Sequence, residues 1–226
     1  MSTNNHPTYF TRRANNRVNN MAYSSEVDIT GAVRAELGIL PAASANAIMN
    51  AVDIAAIVTK GGTLVSAYNS NPQSVMGLYG RNVTVTLSGA GTPTVTVRGR
   101  DYLGQPVAEN IVATGAVAAV GKKAFVFIDN ITTSAGVAAT TLSLGTGNVL
   151  GLPYALMKVD AEIVDNAVAA AGTIVLATVT AQTATTNDPR GSYTPAAGAV
   201  PNGARDIVLL GQVLNGQLHG VPHYYA

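Results

Sequence analysis

The sequence predicts a mainly β protein: an antiparallel β-sandwich, with jelly-roll-like connections as one form of it, bearing one covering helix and an extended N-terminal arm. Three observations predict it. Short Val/Thr runs alternate apolar and polar residues, clusters of Gly, Pro and Asn punctuate them, and strands do not alternate with helices as a parallel α/β sheet requires. The 226 residues are 47% hydrophobic but only 5% aromatic, without Trp, so the core must rest on Ala, Val, Leu and Ile, which bury little area each. A core of that kind points to stability supplied partly by contacts between subunits.

The elements follow in order. Residues 1–25 contain Arg12, Arg13 and Arg17 and no acid, are rich in Asn, and show no periodicity, which marks an extended basic arm. Residues 26–226 then form a single β-rich domain. Residues 24–40 are ambiguous. Over Ala42 to Val58, Ile48, Ala51, Val52, Ala55 and Val58 recur at three- and four-residue intervals, with Ser44 placed to cap and Gly61 to end the element. That spacing predicts the one helix, near 44–58, covering a face or edge of the sheet. Residues 68–79, with Pro72 and Gly77, read as a loop.

The β region opens at Asn82. Val83, Val85 and Leu87 share one face of a strand, and after the turn Ser88–Pro93 the run Thr94–Val97 repeats the alternation, which predicts a hairpin of neighbouring strands. Val107–Val112 alternates again, and Lys123–Asp129 is apolar enough for a central strand. In Met157–Val164 the apolar residues alternate with Lys158, Asp160 and Glu162, which places those charges on a solvated face rather than in a catalytic pair. Asp165-Asn166 is a turn signal, and strands are expected over 173–179 and 207–213. The Thr/Ala/Gly/Pro-rich stretch 180–204 reads as a long loop of the kind that is functional or mobile.

Within this region the run from Thr94 to Tyr154 resembles a module of small structural proteins of tailed-bacteriophage virions. The resemblance is carried by a Val/Thr strand, then Gly99-Arg100-Asp101-Tyr102-Leu103-Gly104-Gln105-Pro106-Val107-Ala108-Glu109-Asn110-Ile111, then Gly121-Lys122-Lys123-Ala124-Phe125, and finally Leu144-Gly145-Thr146-Gly147-Asn148-Val149-Leu150-Gly151-Leu152-Pro153-Tyr154. Asp188-Pro189-Arg190-Gly191-Ser192-Tyr193-Thr194-Pro195 and the turn Pro201-Asn202-Gly203 are similar more loosely. What this implies is a capsid decoration, or cement, protein on the outer surface of a virion. Its implied partners are the major capsid protein and further copies of itself, in a homotrimer by family resemblance. The same strand chemistry would serve a tail, neck or fibre component, including a receptor-binding adhesin.

Candidate interface residues lie outside the module. Tyr9, Phe10, Arg12, Arg13 and Arg17 of the arm, with His223, Tyr224 and Tyr225 near the other end, are suited to anchoring a neighbouring subunit. Three arginines without a clustered basic face offer little phosphate affinity, so nucleic acid is not an expected partner. Nor is a membrane: the most apolar stretch, 167–179, is too short to span one. The polar first residues carry no secretory signal, which points to synthesis in the cytoplasm, of the host bacterium by the resemblance.

Chemistry is not expected either. Cysteine is absent, removing thiolate nucleophiles and cysteine-ligated metals. Gly145-Thr146-Gly147 approaches a dinucleotide-binding pattern, but Leu150 stands at the third glycine and Leu152-Pro153 where a helix should open, so a tight turn is expected there and no cofactor. His219 and His223 have ligand-like spacing, but Gly220 and Pro222 disfavour the helix that would pair them. With 11% charged residues there are few carboxylates from which to build an enzyme, such as a polysaccharide hydrolase.

Overall fold

The computed structural model describes residues 30–56, 59–60, 66–178 and 182–214. It is a mainly antiparallel β structure, consistent with a β-sandwich. Along the chain run β1 (Thr30–Ile39), β2 (Ser44–Asp53), β3 (Thr59–Lys60), two short helices α1 (Ser66–Ser70) and α2 (Pro72–Met76), then β4 (Arg81–Leu87), β5 (Thr94–Arg100), β6 (Pro106–Val112), β7 (Ala119–Val120), β8 (Phe127–Thr133), β9 (Thr141–Gly151), β10 (Leu156–Val164), β11 (Ala167–Val168), β12 (Thr173–Val175), β13 (Ser192–Thr194) and β14 (Asp206–Leu214).

These strands form three sheets, ordered β1-β14-β10-β11, β12-β13-β9-β4-β7 with β2 also on β9, and β3-β8-β5-β6. The second and third sheets face each other across a core of Ile48, Val83, Val85, Leu87, Val95, Val97, Val107, Ile111, Phe125, Leu142 and Leu144. A second core joins the first sheet to the far end of β9 through Ala35, Leu37, Leu150, Leu152, Leu156, Tyr193, Ile207 and Leu209. The 11-residue β9 thus runs through both cores.

The largest departure from the sequence reading is at 44–58, where no helix forms: Ser44–Asp53 is a strand, and Ile57 and Val58 lie outside the described residues. The reason lies in its register with β9. Met49 and Val52 pair with Leu144 and Leu142, three positions on β2 against two on β9, and a further shift falls between Ser44 and Met49. Such bulges break the two-residue alternation. The buried Ile48 and Met49 and the half-buried Val52 therefore acquire the spacing of a helix face while the backbone is extended.

Helix appears instead at 66–76, where a loop is expected. The Asn71 side chain accepts from Ser74 N at 3.3 Å and Pro72 occupies the first turn, which suits a short capped helix. The expected hairpin of 82–87 with 94–97 is also replaced. β4 lies between β9 and β7, β5 lies between β8 and β6, and the Ser88–Pro93 turn carries the chain from one sheet to the other. β5 finds its hairpin partner in β6. The central strand expected over 123–129 forms later in the chain, at Phe127–Thr133 between β3 and β5: Phe125 bridges Arg81 of the second sheet, Val126 N donates to Arg100 O at 2.9 Å, and regular pairing begins at Phe127.

Gly145-Thr146-Gly147 is no turn but the middle of β9. A Cβ on Gly145 would run into the backbone of Ser44 and Ala45, and one on Gly147 into the Asn82 side chain, so these glycines admit β2 and Asn82 against the strand. The 173–179 strand ends at Val175, whereas the 207–213 strand and the Asp165-Asn166 turn, with φ of 51° and 65°, form as expected.

Candidate functional site

The charged residues of the described chain do not all lie on its surface. Arg81, Asp101, Glu109, Lys123, Glu162, Asp188 and Arg190 are buried, and most stand in or beside the motifs of the sequence. Asp101, Glu109, Lys123, Asp188 and Arg190 are placed by the β5–β6 hairpin, the crossing segment 121–126 and the stretch 182–194, which meet along one seam, while Arg81 stands on β4 and Glu162 on β10.

Asp101 starts the hairpin turn. Its Oδ1 accepts from Leu103 N at 2.9 Å and Gln105 N at 2.8 Å, holding the loop in the form that needs Gly104 at φ 78°. Its Oδ2 accepts from Arg190 Nη2 at 2.8 Å, with both side chains almost wholly enclosed. The Arg190 guanidinium lies 4.9 Å from the centre of the Tyr102 ring. Tyr102 in turn donates to Pro153 O at 2.7 Å and meets Tyr79 edge to face at 5.2 Å. Burial raises the Tyr102 pKa, so the phenol keeps the proton it donates.

Two further carboxylates bind backbone. Asp188 accepts from Ala124 N at 3.1 Å and from Arg190 N at 2.9 Å. Glu109 accepts from Lys122 N at 2.5 Å and Lys123 N at 3.1 Å. Burial pushes the Glu109 carboxyl up to about 7, against the opposing pull of those two amides and of the Lys123 ammonium. Burial likewise lowers the Lys123 pKa; its Nζ donates to Thr183 O at 2.7 Å, and Asn110 N donates to Ala184 O at 2.8 Å. Segment 182–191, part of the long loop expected over 180–204, is therefore fastened across β6 and the 121–126 crossing.

Two more groups tie distant strands. Arg81 donates from Nε to Gly147 O at 2.8 Å and from Nη1 to Pro41 O at 2.9 Å, and burial lowers its pKa to about 10. Glu162, expected on the wet face of β10, is buried, and Tyr193 donates to its Oε2 at 2.5 Å. Register shifts between Leu156 and Lys158 and between Val159 and Ala161 turn Glu162 inward. Asp160 stays exposed and paired with Lys158 at 2.7 Å, as expected. Burial and then the Glu162 bond raise the Tyr193 pKa, which keeps this donor protonated too.

Chemically, the seam fastens chain to chain: its carboxylates accept mostly backbone N–H groups and its cations donate mostly to backbone carbonyls. Among the described residues no group of three or more His, Asp or Glu could hold a metal, and no helix is long and apolar enough to cross a membrane. The candidate interface residues Tyr9, Phe10, Arg12, Arg13, Arg17, His223, Tyr224 and Tyr225 lie outside the described residues.

The seam itself was absent from the sequence reading, although part of its signal is visible there. Glu109 has the same strand parity as Val107 and Ile111, and Arg81 the same as Val83 and Val85, so each charge stands on an apolar face. No protein-family model, curated protein or solved structure matches the chain.

Proposed function

We propose that this chain is a structural protein of a tailed-phage virion, a decoration or cement protein on the outer capsid surface that binds the major capsid protein and further copies of itself. The observation that carries the reading is the destination of the motif residues. Asp101, Glu109, Lys123, Asp188 and Arg190 use their charges to fasten distant segments into one scaffold, which is what a load-carrying subunit requires. The mechanism is mass action: a protein that binds only the assembled lattice raises the free energy needed to take that lattice apart.

The test is the copy number of this chain, measured by quantitative mass spectrometry on purified virions against the major capsid protein. Decoration requires many copies per particle. A handful would move the chain to the tail, neck or fibre, and absence from the particle would end the virion reading.

A further inference from the structure

β6 is the last strand of its sheet, and the stretch 182–191 lies across it as a strap. Asn110 N donates to Ala184 O at 2.8 Å, Lys123 Nζ donates to Thr183 O at 2.7 Å, and Asp188 Oδ2 accepts from Ala124 N at 3.1 Å. The last two bonds each depend on a charge. The two ends of the strap are held unequally. At one end the Arg190 guanidinium is enclosed with Asp101 and lies over the Tyr102 ring. At the other, Thr183 N donates to Thr186 Oγ1 at 3.1 Å and Thr186 Oγ1 to Gln182 Oε1 at 3.0 Å, so residues 182–186 bond to one another and lift as a unit.

The ammonium that holds this lighter end is contested. Lys123, Glu109 and Asp188 are 0%, 3% and 1% exposed, and both carboxyl groups act on the ammonium across a site that water scarcely enters. The crossing segment closes tightly on Glu109: its Oε2 accepts from Lys123 N at 3.1 Å, and a Cβ on Gly121 would come within 2.8 Å of the same oxygen. While Glu109 holds a proton, the ammonium is left to Thr183 O. An ionised Glu109 is a stronger acceptor than that carbonyl and draws the ammonium away from the strap. It also sets a second negative charge against Asp188, which opposes it.

We propose that 182–191 is a pH-operated strap, seated on β6 while Glu109 is protonated and released at its 183–185 end when Glu109 ionises. Burial, which pushes the Glu109 carboxyl up to about 7, puts the change near neutrality, with release on the alkaline side. The other elements packed against Glu109 do not compete for its role. β5 meets it with Val97, while Arg98 turns to Thr132 Oγ1 at 3.4 Å; β7 brings only Ala119 and Val120; Lys122 of the crossing is exposed; and Asp101 and Arg190 are paired with each other. Release frees the Asn110 amide on the sheet edge and opens the hollow of about 340 Å³ that Thr185 borders together with Glu109 and Lys122. A covered edge is protected from adding a foreign strand, so the strap sets when β6 is able to accept one.

The test is native-state hydrogen exchange on the full-length protein at pH 5 and pH 8, with labelling times scaled to equal intrinsic exchange and with dilute urea added in a parallel series. At pH 8 the Asn110 amide and the amides of 183–188 should lose protection by roughly tenfold or more. Dilute urea should barely accelerate their exchange, because a local opening exposes little surface. In Glu109→Gln the protection of the strap should be equal at the two pH values. Strap protection that does not change with pH in the unaltered protein would overturn the proposal. So would strap exchange that urea accelerates as steeply as that of β9, which would make the opening one of the whole domain, or the same loss of protection in Glu109→Gln. The first two readings need no variant, so they decide the matter even if Glu109→Gln fails to fold.

Discussion

Glu109 concentrates the energetic tension of the seam: a carboxyl enclosed enough to be pushed up to about 7 yet bonded to two amides and near a buried lysine. Its pH dependence has a definite sign. Below the ordinary value of 4.5 both folded and unfolded forms hold the proton. Between 4.5 and about 7 the unfolded chain releases it and the folded chain keeps it, so stability falls as pH rises, and above that the loss is complete. Glu109→Gln should remove this fall, which amounts at most to about 3 kcal/mol, and urea midpoints at pH 5 and pH 8 compared between the two proteins would show it. An equal drop in both proteins would place the titration elsewhere. The Arg190–Asp101 pair, with side chains 2% and 0% exposed, makes a second demand. Asp101→Ala takes a carboxylate partner from a buried guanidinium and should cost about 3–5 kcal/mol in denaturant unfolding, more than the double change Asp101→Ala/Arg190→Met. These roles were half legible. Strand parity places Glu109 and Arg81 on apolar faces, but nothing local tells that Arg190 reaches Asp101 across 89 positions of sequence.

Bulges explain where the reading of individual elements succeeded and where it failed. β5, which pairs regularly with β6, keeps the alternation seen in the sequence, with Val95 and Val97 buried, whereas β6 buries Val107, Ala108 and Glu109 in succession. Register shifts also occur between β1 and β14, β4 and β9, and β5 and β8, but those of β2 and β10 are the ones that overturn an expectation. In β2 the shifts against β9 imitate helical spacing, and in β10 they carry Glu162 from the wet face to the buried one. A register shift is a property of two strands together, so one strand's periodicity cannot report it. The glycines of β9 mislead for a related reason, since they mark a close crossing rather than a turn. If β2 lies against Gly145 as described, Gly145→Val should cost about 3 kcal/mol or more by overpacking. It should release the amides of β2 to hydrogen exchange while those of β5 and β6 keep their protection. Uniform protection in the variant would mean that β2 does not press on this strand.

At the scale of the whole molecule, the class was legible because composition and alternation are local, whereas the assignment of strands to sheets was not. β9 takes β4 along one side, and β2 and then β13 along the other, with partners from both ends of the chain. Turn chemistry at Ser88–Pro93 suggests a hairpin, but the three-sheet arrangement sends the two strands apart, so the local signal is correct for a turn and silent on its consequence. Because β9 contributes Leu142 and Leu144 to one core and Leu150 to the other, the two cores share a backbone and should unfold together. Leu144→Ala and Leu209→Ala each remove a fully buried side chain, one from each core, and should each cost about 2–5 kcal/mol. Coupling through β9 requires that either change lower the protection of amides in both cores by the same factor, read by native-state hydrogen exchange on the same sample. A Leu209→Ala protein that loosens the first sheet while β5 and β8 retain full protection would instead make the two cores separate cooperative units, with β9 a strap between them rather than a shared spine.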